Sequence, residues 1–342
     1  MLTDIKIIRT DSELECPHLD NNLRALGATL VLLPDSISEA ELLAETADAD
    51  LILMCYTPIT ARIIDNAKSL KGIVKYGVGI DAIDIDCASA RGIPVVNIPE
   101  YAENTVAEGA FALMLALAKK TIPLQTEMQK MGWAWPTPKW IASDIAGKTL
   151  GLVGAGKIGK SMACMAGAGF GARVLGFDPN VSEMEMAAAG IQKCASLTDM
   201  LKECDYVSVH CVLNDDTHHL IGVEEFAIMK PSAMLINVSR GAIIDEDALV
   251  NALKRGALAG AGLDVYSQEP LNITDHPMRE LYAMDNVILS PHLTFYTVEA
   301  MQRLEDETFL RCQEILEGRP VVVKSKDPRL TAQPSGVIFK AE

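Results

Sequence analysis

The stretch at residues 149–179, TLGLVGAGKIGKSMACMAGAGFGARVLGFDP, constrains the fold more than any other part of the chain. A β-type run, TLGLVG, meets a turn with glycines at 154, 156 and 159 and passes directly into a helical run, and a second β-type run, ARVLGFD, follows. In a G-x-G-x-x-G turn of this kind the first glycine permits the tight bend, the second lets backbone approach a pyrophosphate, and the third lets helix pack close on strand. Amides and dipole at the helix start then face the phosphates. Gly154, Gly156 and Gly159 are therefore predicted to hold a dinucleotide. Asp178 ends the second run, 19 residues past Gly159. A carboxylate there accepts hydrogen bonds from both hydroxyls of an adenosine ribose and repels a 2'-phosphate, which selects NAD over NADP.

The same alternation of short β-type runs with helix-length segments fills the rest of the chain. IKIIR, ATLVLL, ADLILMCY, GIVKYG and IPVVNI precede the glycine turn, and YVSVHCV, AMLINVS, AGAGLDV and NVILSPH follow it. The pattern predicts an α/β protein with two Rossmann-like, doubly wound parallel sheets. With 342 residues, 49% of them hydrophobic, the chain can bury two cores. Residues 104–120, NTVAEGAFALMLALAKK, read as a helix capped by Asn104 and apolar on almost every face, so it must be buried all round, by its own domain or by a second subunit. The following TEMQKMGWAWPTPKW reads as a loop-like arm with three tryptophans, and the tail from Lys324 as extended chain.

A formal charge of −16 repels nucleic acid and anionic lipid. Eight cysteines without a C-x-x-C pair, with Cys164, Cys194 and Cys211 in apolar runs, read as small hydrophobes in a reducing cytoplasm. No segment is long and apolar enough to span a bilayer.

Reduction of a 2-oxo acid places negative charge on the carbonyl oxygen, which calls for a cation beside it and an acid to deliver a proton. Three strand ends supply them: Arg240 in LINVSRGAIID, Glu269 in LDVYSQEP and His292 in ILSPH. A guanidinium bridges carboxylate and carbonyl oxygens, and a glutamate beside an imidazole favours the protonated ring. Such sheets place their ligands at the carboxyl ends of their strands. His210 ends YVSVH and is expected to line the cofactor cleft. His218 and His219 follow in a polar turn, His18 and His276 sit among loop signals, and no histidine pair has metal-ligand spacing.

GVGIDAIDIDCASARGIPVVNIP, TVAE, GLVGAGKIG, NVSRGAIIDEDAL, GALAGAGLDVYSQEP and NVILSPH, in this order, resemble the signatures of the D-isomer-specific 2-hydroxyacid dehydrogenase family over nearly the whole chain. The resemblance implies that His292 is acid and base, Glu269 its orienting partner and Arg240 the substrate anchor, and that amides around Val78 and Gly79 bind the substrate carboxylate. It implies Lys157 and Ile158 at the pyrophosphate, Ser239 among the cofactor contacts and Asp264 near the nicotinamide carboxamide. It also implies a discontinuous substrate domain, residues 1–103 and 297–342, around an NAD-binding domain of residues 104–296, with a homodimer formed through the latter.

Within the family, PHLTFYT places Phe295 and Tyr296 soon after the histidine and resembles the D-lactate dehydrogenase branch, as do Tyr56 and Tyr101 as pocket tyrosines. MCYTPIT lacks the arginine that phosphoglycerate dehydrogenases tend to carry, Val212 stands where proline is usual, and Glu269 stands where formate dehydrogenases carry glutamine. The expectation is an NAD-dependent enzyme interconverting a small 2-oxo acid (glyoxylate, hydroxypyruvate or pyruvate) and its D-2-hydroxy acid. A 3-phosphoglycerate dehydrogenase is the alternative enzyme. The C-terminal binding protein corepressors, which sense dinucleotide on a similar scaffold, are the alternative of another class.

Overall fold

A computed structural model describes residues 4–333 and 335–340. The chain divides into two compact units, Met1–Ala102 with Thr297–Glu342, and Glu103–Tyr296. Both are parallel α/β sheets of the expected class.

In the first unit, β1 (Lys6–Arg9), β2 (Thr29–Leu32), β3 (Leu51–Met54), β4 (Gly72–Lys75) and β5 (Val95–Asn97) pair in the order β2-β1-β3-β4-β5, all parallel. The central strands β3 and β4 are buried at every position, as befits strands covered by helices on both faces. One cover is the helix Val298–Leu316, whose Ile315 lies so near β4 that a Cβ on Gly72 would sit 2.7 Å from its Cδ1. Strand order reverses between β1 and β3, and a buried carboxylate organises that point. Asp11, with φ +56, accepts hydrogen bonds from the amides of Cys55, Tyr56 and Thr57 and from the hydroxyls of Thr10 and Thr57.

In the second unit, β6 (Thr149–Val153), β7 (Arg173–Phe177), β8 (Gln192–Lys193), β9 (Tyr206–Val209), β10 (Met234–Asn237), β11 (Gly260–Leu263) and β12 (Val287–Leu289) form one parallel sheet, ordered β12-β11-β10-β9-β6-β7-β8. The order reverses between β6 and β9, the switch point at which doubly wound sheets bind ligands. Separate apolar layers cover the two faces, one around Leu235, Leu253 and Val207, the other around Met114, Leu152 and Ile236.

Several sequence expectations need correction. The helix Glu103–Lys119 starts one residue before Asn104, whose Oδ1 instead accepts from the Ser161 hydroxyl at 2.7 Å. Its own unit does not bury it all round: within the single chain Asn104, Glu108 and Ala112, four residues apart, form an exposed stripe. The tryptophan arm is partly helical, with an α-helix at Thr121–Met131 and a 3-10 turn at Pro138–Trp140. Cys164 is exposed because Gly159, Met162, Ala163 and Ala166 form the buried face of its helical stretch. The tail is not extended chain: β13 (Val321–Val323) pairs with β14 (Val337–Phe339), and the short helix Pro328–Thr331 lies between them in sequence. Gln333 then uses its side-chain amide as a strand would, accepting from Val95 N and donating to Val95 O on the sheet's edge. Among the described residues no helix is long and apolar enough to cross a membrane.

Candidate active site

The three glycines of the β6 turn each have a separate physical reason. Gly154 has φ +97, and a Cβ there would lie 2.6 Å from Cys211 N, so the turn is pressed onto the end of β9. A Cβ on Gly159 would lie 2.3 Å from the Gly154 carbonyl oxygen, which locks the helix Lys157–Ala163 against the turn. A Cβ on Gly156 would meet nothing within 4 Å, so this residue presents open backbone at the helix start. Asp178 follows β7 with Oδ2 accepting from Ala155 N and Oδ1 from Asn180 N, both at 2.9 Å, which holds its carboxylate against the same turn. Ile158 is half-buried beside them, and the Lys157 ammonium is drawn to Glu103 at 3.2 Å. Open backbone, a helix start and a fixed carboxylate fit the pyrophosphate and ribose of NAD.

His210 ends β9, its Nε2 at 2.8 Å from the Ser208 hydroxyl. Burial lowers its pKa to about 4, which makes the ring neutral at physiological pH. Ser239 bonds the Cys211 carbonyl through its hydroxyl, joining the loops after β9 and β10.

The three catalytic candidates lie at the ends of β10, β11 and β12. Asn237, buried in the last position of β10, fixes the Arg240 loop by accepting from Ser239 N and donating to Arg240 O. Arg240 Nη1 donates to Ser239 O at 2.7 Å. Gly241 rests directly on the Tyr266–Ser267 peptide, where a Cβ would be 2.0 Å from Tyr266 C. That contact sets the Arg240 loop against the loop carrying Glu269.

Glu269 Oε2 lies 2.9 Å from His292 Nδ1, and Glu269 Oε1 accepts from Tyr266 N at 2.9 Å. Burial alone would raise this carboxyl's pKa. The hydrogen bond and charge of His292, the Tyr266 amide and the charge of Arg240 outweigh burial and hold it below the ordinary glutamate value. His292 itself has φ +57, a conformation that non-glycine residues adopt mainly where the surroundings enforce it. Asp264 is the enforcer: fully buried, it accepts from Leu293 N, Thr294 N and the Thr294 hydroxyl. Thr294 in turn packs on Gly109 of the helix Glu103–Lys119, where a Cβ would be 2.6 Å from Thr294 Cβ.

Of the two aromatics after His292, Phe295 is only 7% exposed and meets the imidazole edge-on, ring centroids 6.4 Å apart, whereas Tyr296 is 47% exposed. Phe295 thus backs the histidine.

The remaining candidates belong to the first unit. Val78 is exposed in a turn whose carbonyl accepts from Asn97 Nδ2 at 2.6 Å, and Gly79 follows it. Tyr56 is exposed, with the Lys75 ammonium 5.4 Å from its ring centre, and Tyr101 is buried. Two residues near the catalytic loops escaped the sequence reading: buried His276, read only as a loop histidine, and Glu246, at the start of the helix Glu246–Lys254. Among the described residues no group of three or more His, Cys, Asp or Glu is placed to hold a metal.

Comparison with known proteins agrees with this geometry. The NAD-binding domain model of the D-isomer specific 2-hydroxyacid dehydrogenases matches residues 111–294. A glyoxylate reductase of Thermococcus gammatolerans is 38% identical over 275 residues, 77% of this chain and 79% of its own. A D-3-phosphoglycerate dehydrogenase of Methanocaldococcus jannaschii is 36% identical over 283 residues, 82% of this chain, but this chain spans only 52% of that relative's length. A D-lactate dehydrogenase from Aquifex aeolicus, solved with NAD and lactic acid, superposes with a TM-score of 0.81 at 31% identity, covering 91% of this chain and 96% of its own. The match of the family's NAD-binding domain model over residues 111–294, together with relatives of 38% and 31% identity that span most of the chain, places the chain among the D-isomer specific 2-hydroxyacid dehydrogenases, NAD-dependent oxidoreductases.

Proposed function

We propose that the chain reduces a small, unphosphorylated 2-oxo acid of the glyoxylate, hydroxypyruvate or pyruvate class to its D-2-hydroxy acid. The observation that carries this reading is the 2.9 Å contact between Glu269 Oε2 and His292 Nδ1, on a histidine held in a strained conformation. NADH, held by the glycine turn and Asp178, would supply the hydride that C2 of the acid gains. His292, with Nδ1 committed to Glu269, gives a proton from Nε2 to the carbonyl oxygen. Arg240 offsets the charge growing on that oxygen, and the Glu269 carboxylate stabilises the imidazolium that holds the proton beforehand. In the oxidative direction the same ring accepts the hydroxyl proton. The amides of Val78 and Gly79 are proposed to take the substrate carboxylate, with Tyr56, Tyr101 and Tyr296 lining the substrate's path. Asp264 is proposed to act at the nicotinamide side through the turn it pins.

The glyoxylate reductase and D-lactate dehydrogenase relatives support a small acid, and the phosphoglycerate dehydrogenase relatives keep 3-phosphoglycerate as the second reading. The test is NADH oxidation against glyoxylate, hydroxypyruvate, pyruvate, bulkier aliphatic and aromatic 2-oxo acids, and 3-phosphohydroxypyruvate. A clear preference for one of the first three is expected. Preference for the phosphorylated acid overturns the reading in favour of its alternative, and NADH binding without turnover on any acid favours a sensor role.

We also infer a homodimer formed through the NAD-binding unit, supported by exposed Ile122, Met131, Trp133, Trp135 and Ile141, and a cytoplasmic location, supported by eight free thiols. Light scattering on the purified protein tests the dimer.

A further inference from the structure

The Glu269 carboxylate is only as well placed as the segment that carries it. That segment, residues 266–269, follows β11 as a loop, and a glutamate side chain has three rotatable bonds of its own. Yet three of its peptide groups are tied. Tyr266 N donates to Glu269 Oε1, Ser267 N donates to Glu246 Oε1 at 2.7 Å, and the Gln268 carbonyl lies 2.9 Å from His276 Nε2. His276 Nδ1 accepts from Met278 N at 3.0 Å, at the start of the 3-10 helix Pro277–Ala283. An amide can only donate, so this bond fixes the tautomer. Nδ1 is the acceptor, Nε2 carries the proton, and the ring donates to Gln268 O. The imidazole is 2% exposed and uses both nitrogens.

Glu246 reaches the loop from the other side, at the first turn of its helix. Burial raises its carboxyl's pKa; the Ser267 backbone and side-chain hydrogen bonds work the other way. The charged groups around the loop are Glu246 and Asp247 from that helix, Arg240 from the neighbouring loop, Asp264 just after β11, and His292. None of them bonds the Gln268 carbonyl, whose partner is His276.

We infer that His276 and Glu246 are positioning residues for Glu269: Glu246 holds the Tyr266–Ser267 peptide and His276 the Gln268–Glu269 peptide, so that the Glu269 carboxylate stays within hydrogen-bond reach of His292. The inference rests on the reading of Glu269 and His292 as the acid pair. A clamp of this kind matters because a displacement of about 1 Å in a catalytic group can cost on the order of a hundredfold in rate. Neither side chain touches substrate or cofactor in this scheme.

The sign of the effect follows from charge. Moving the Glu269 carboxylate away from the imidazole disfavours its protonated form, so the alkaline limb of the pH profile for reduction shifts to lower pH. The experiment measures that limb, NADH affinity and melting temperature for five single variants of the chain and for His276→Ala combined with Glu269→Gln. Glu269→Gln sets the full shift. His276→Ala removes both bonds of the ring. His276→Asn keeps an oxygen where Nδ1 lies and caps Met278 N, but is too short for Gln268. His276→Gln places an amide nitrogen within reach of the Gln268 carbonyl. Glu246→Ala frees Ser267 N.

The expected result is a shift of about one pH unit or less towards the Glu269→Gln profile in His276→Ala and His276→Asn, with recovery in His276→Gln. Glu246→Ala shifts the limb in the same direction. NADH affinity is unchanged in all four, and His276→Ala adds nothing in the Glu269→Gln background. An unmoved limb in His276→Asn and Glu246→Ala, beside a clear shift in Glu269→Gln, overturns the clamp and leaves the acid pair standing. A full further shift from His276→Ala in the Glu269→Gln background also overturns it. An unmoved limb in Glu269→Gln overturns the acid pair and the clamp with it.

Discussion

Gly241→Ala separates geometry from chemistry, because Gly241 takes no part in any proposed step. An added Cβ would lie 2.0 Å from Tyr266 C, 2.1 Å from Ser267 N and 2.5 Å from Tyr266 Cα, all backbone atoms that no rotamer change can move. Ordinary contact begins near 3.4 Å, so the Arg240 loop and the Tyr266–Ser267 peptide must part by about 1.4 Å. The fold can absorb this at the ends of β10 and β11, at the typical overpacking cost of about 1–3 kcal/mol. The active site cannot, since Arg240 precedes the altered residue and Glu269 follows the displaced peptide by two residues. A loss of about a hundredfold in kcat is expected, with NADH affinity nearly unchanged because the glycine turn after β6 lies elsewhere on the sheet. Steady-state reduction of the preferred 2-oxo acid, NADH fluorescence titration and urea unfolding measure the three quantities. A kcat close to that of the native protein refutes the argument that this contact sets the spacing of the catalytic loops. A loss confined to NADH affinity places the arginine at the cofactor instead.

Asp178→Ala should raise use of NADPH relative to NADH by about tenfold, the worth of about 1.4 kcal/mol, and an unchanged ratio of kcat/KM values removes the carboxylate from the ribose. Gly156→Ala should weaken NADH binding without lowering the melting temperature, since the new methyl meets open space, whereas Gly159→Ala, 2.3 Å from a carbonyl oxygen, should lower both. Equal behaviour of these two variants in titration and thermal melts contradicts their assigned roles. Asp11→Ala strips the partner from three amides and should cost about 3 kcal/mol in urea unfolding; a cost near zero means that the Cys55–Thr57 loop does not depend on it. His210, lowered to about 4 in the fold against about 6.5 unfolded, makes the unfolded chain bind more protons between those values. Stability should therefore fall by about 2 kcal/mol as pH drops from 6.5 to 4, and His210→Phe should remove that share of the loss in urea titrations at the two pH values.

The sheets were legible because parallel strands buried on both faces read as largely apolar runs, as LILM is throughout and GIVK is up to its final lysine. Where burial does not set the residue type, the sequence is quiet. Strand β8 is two polar-containing residues at a sheet edge, and the helix Thr121–Met131 has no buried residue, so neither leaves a periodic trace. The tail escaped for another reason: one glutamine side chain does the work of a paired strand at Val95, and a single amide has no period. The helix Glu103–Lys119 has, within its own chain, an exposed stripe that includes Ala112, a residue that carries no polar mark.

The site divides along the same line. Arg240, Glu269 and His292 could be located because each stands at the end of an apolar strand and is charged or titratable, so its position and chemistry are both written in the sequence. The groups that hold them are not marked in this way. Asn237, Asp264, Glu246 and His276 act through backbone amides and carbonyls, and a hydrogen bond to a peptide group places no demand on the identity of the residue that owns it. Such bonds are fixed by three-dimensional approach alone, and His276 shows the consequence. Its neighbours in NITDHPM give only loop signals, yet the chain's turn buries it against a carbonyl eight residues upstream, adjacent to Glu269. The proposed chemistry thus falls to residues whose types announce it, while their placement rests on hydrogen bonds from ordinary polar residues that appear only once the backbone is folded.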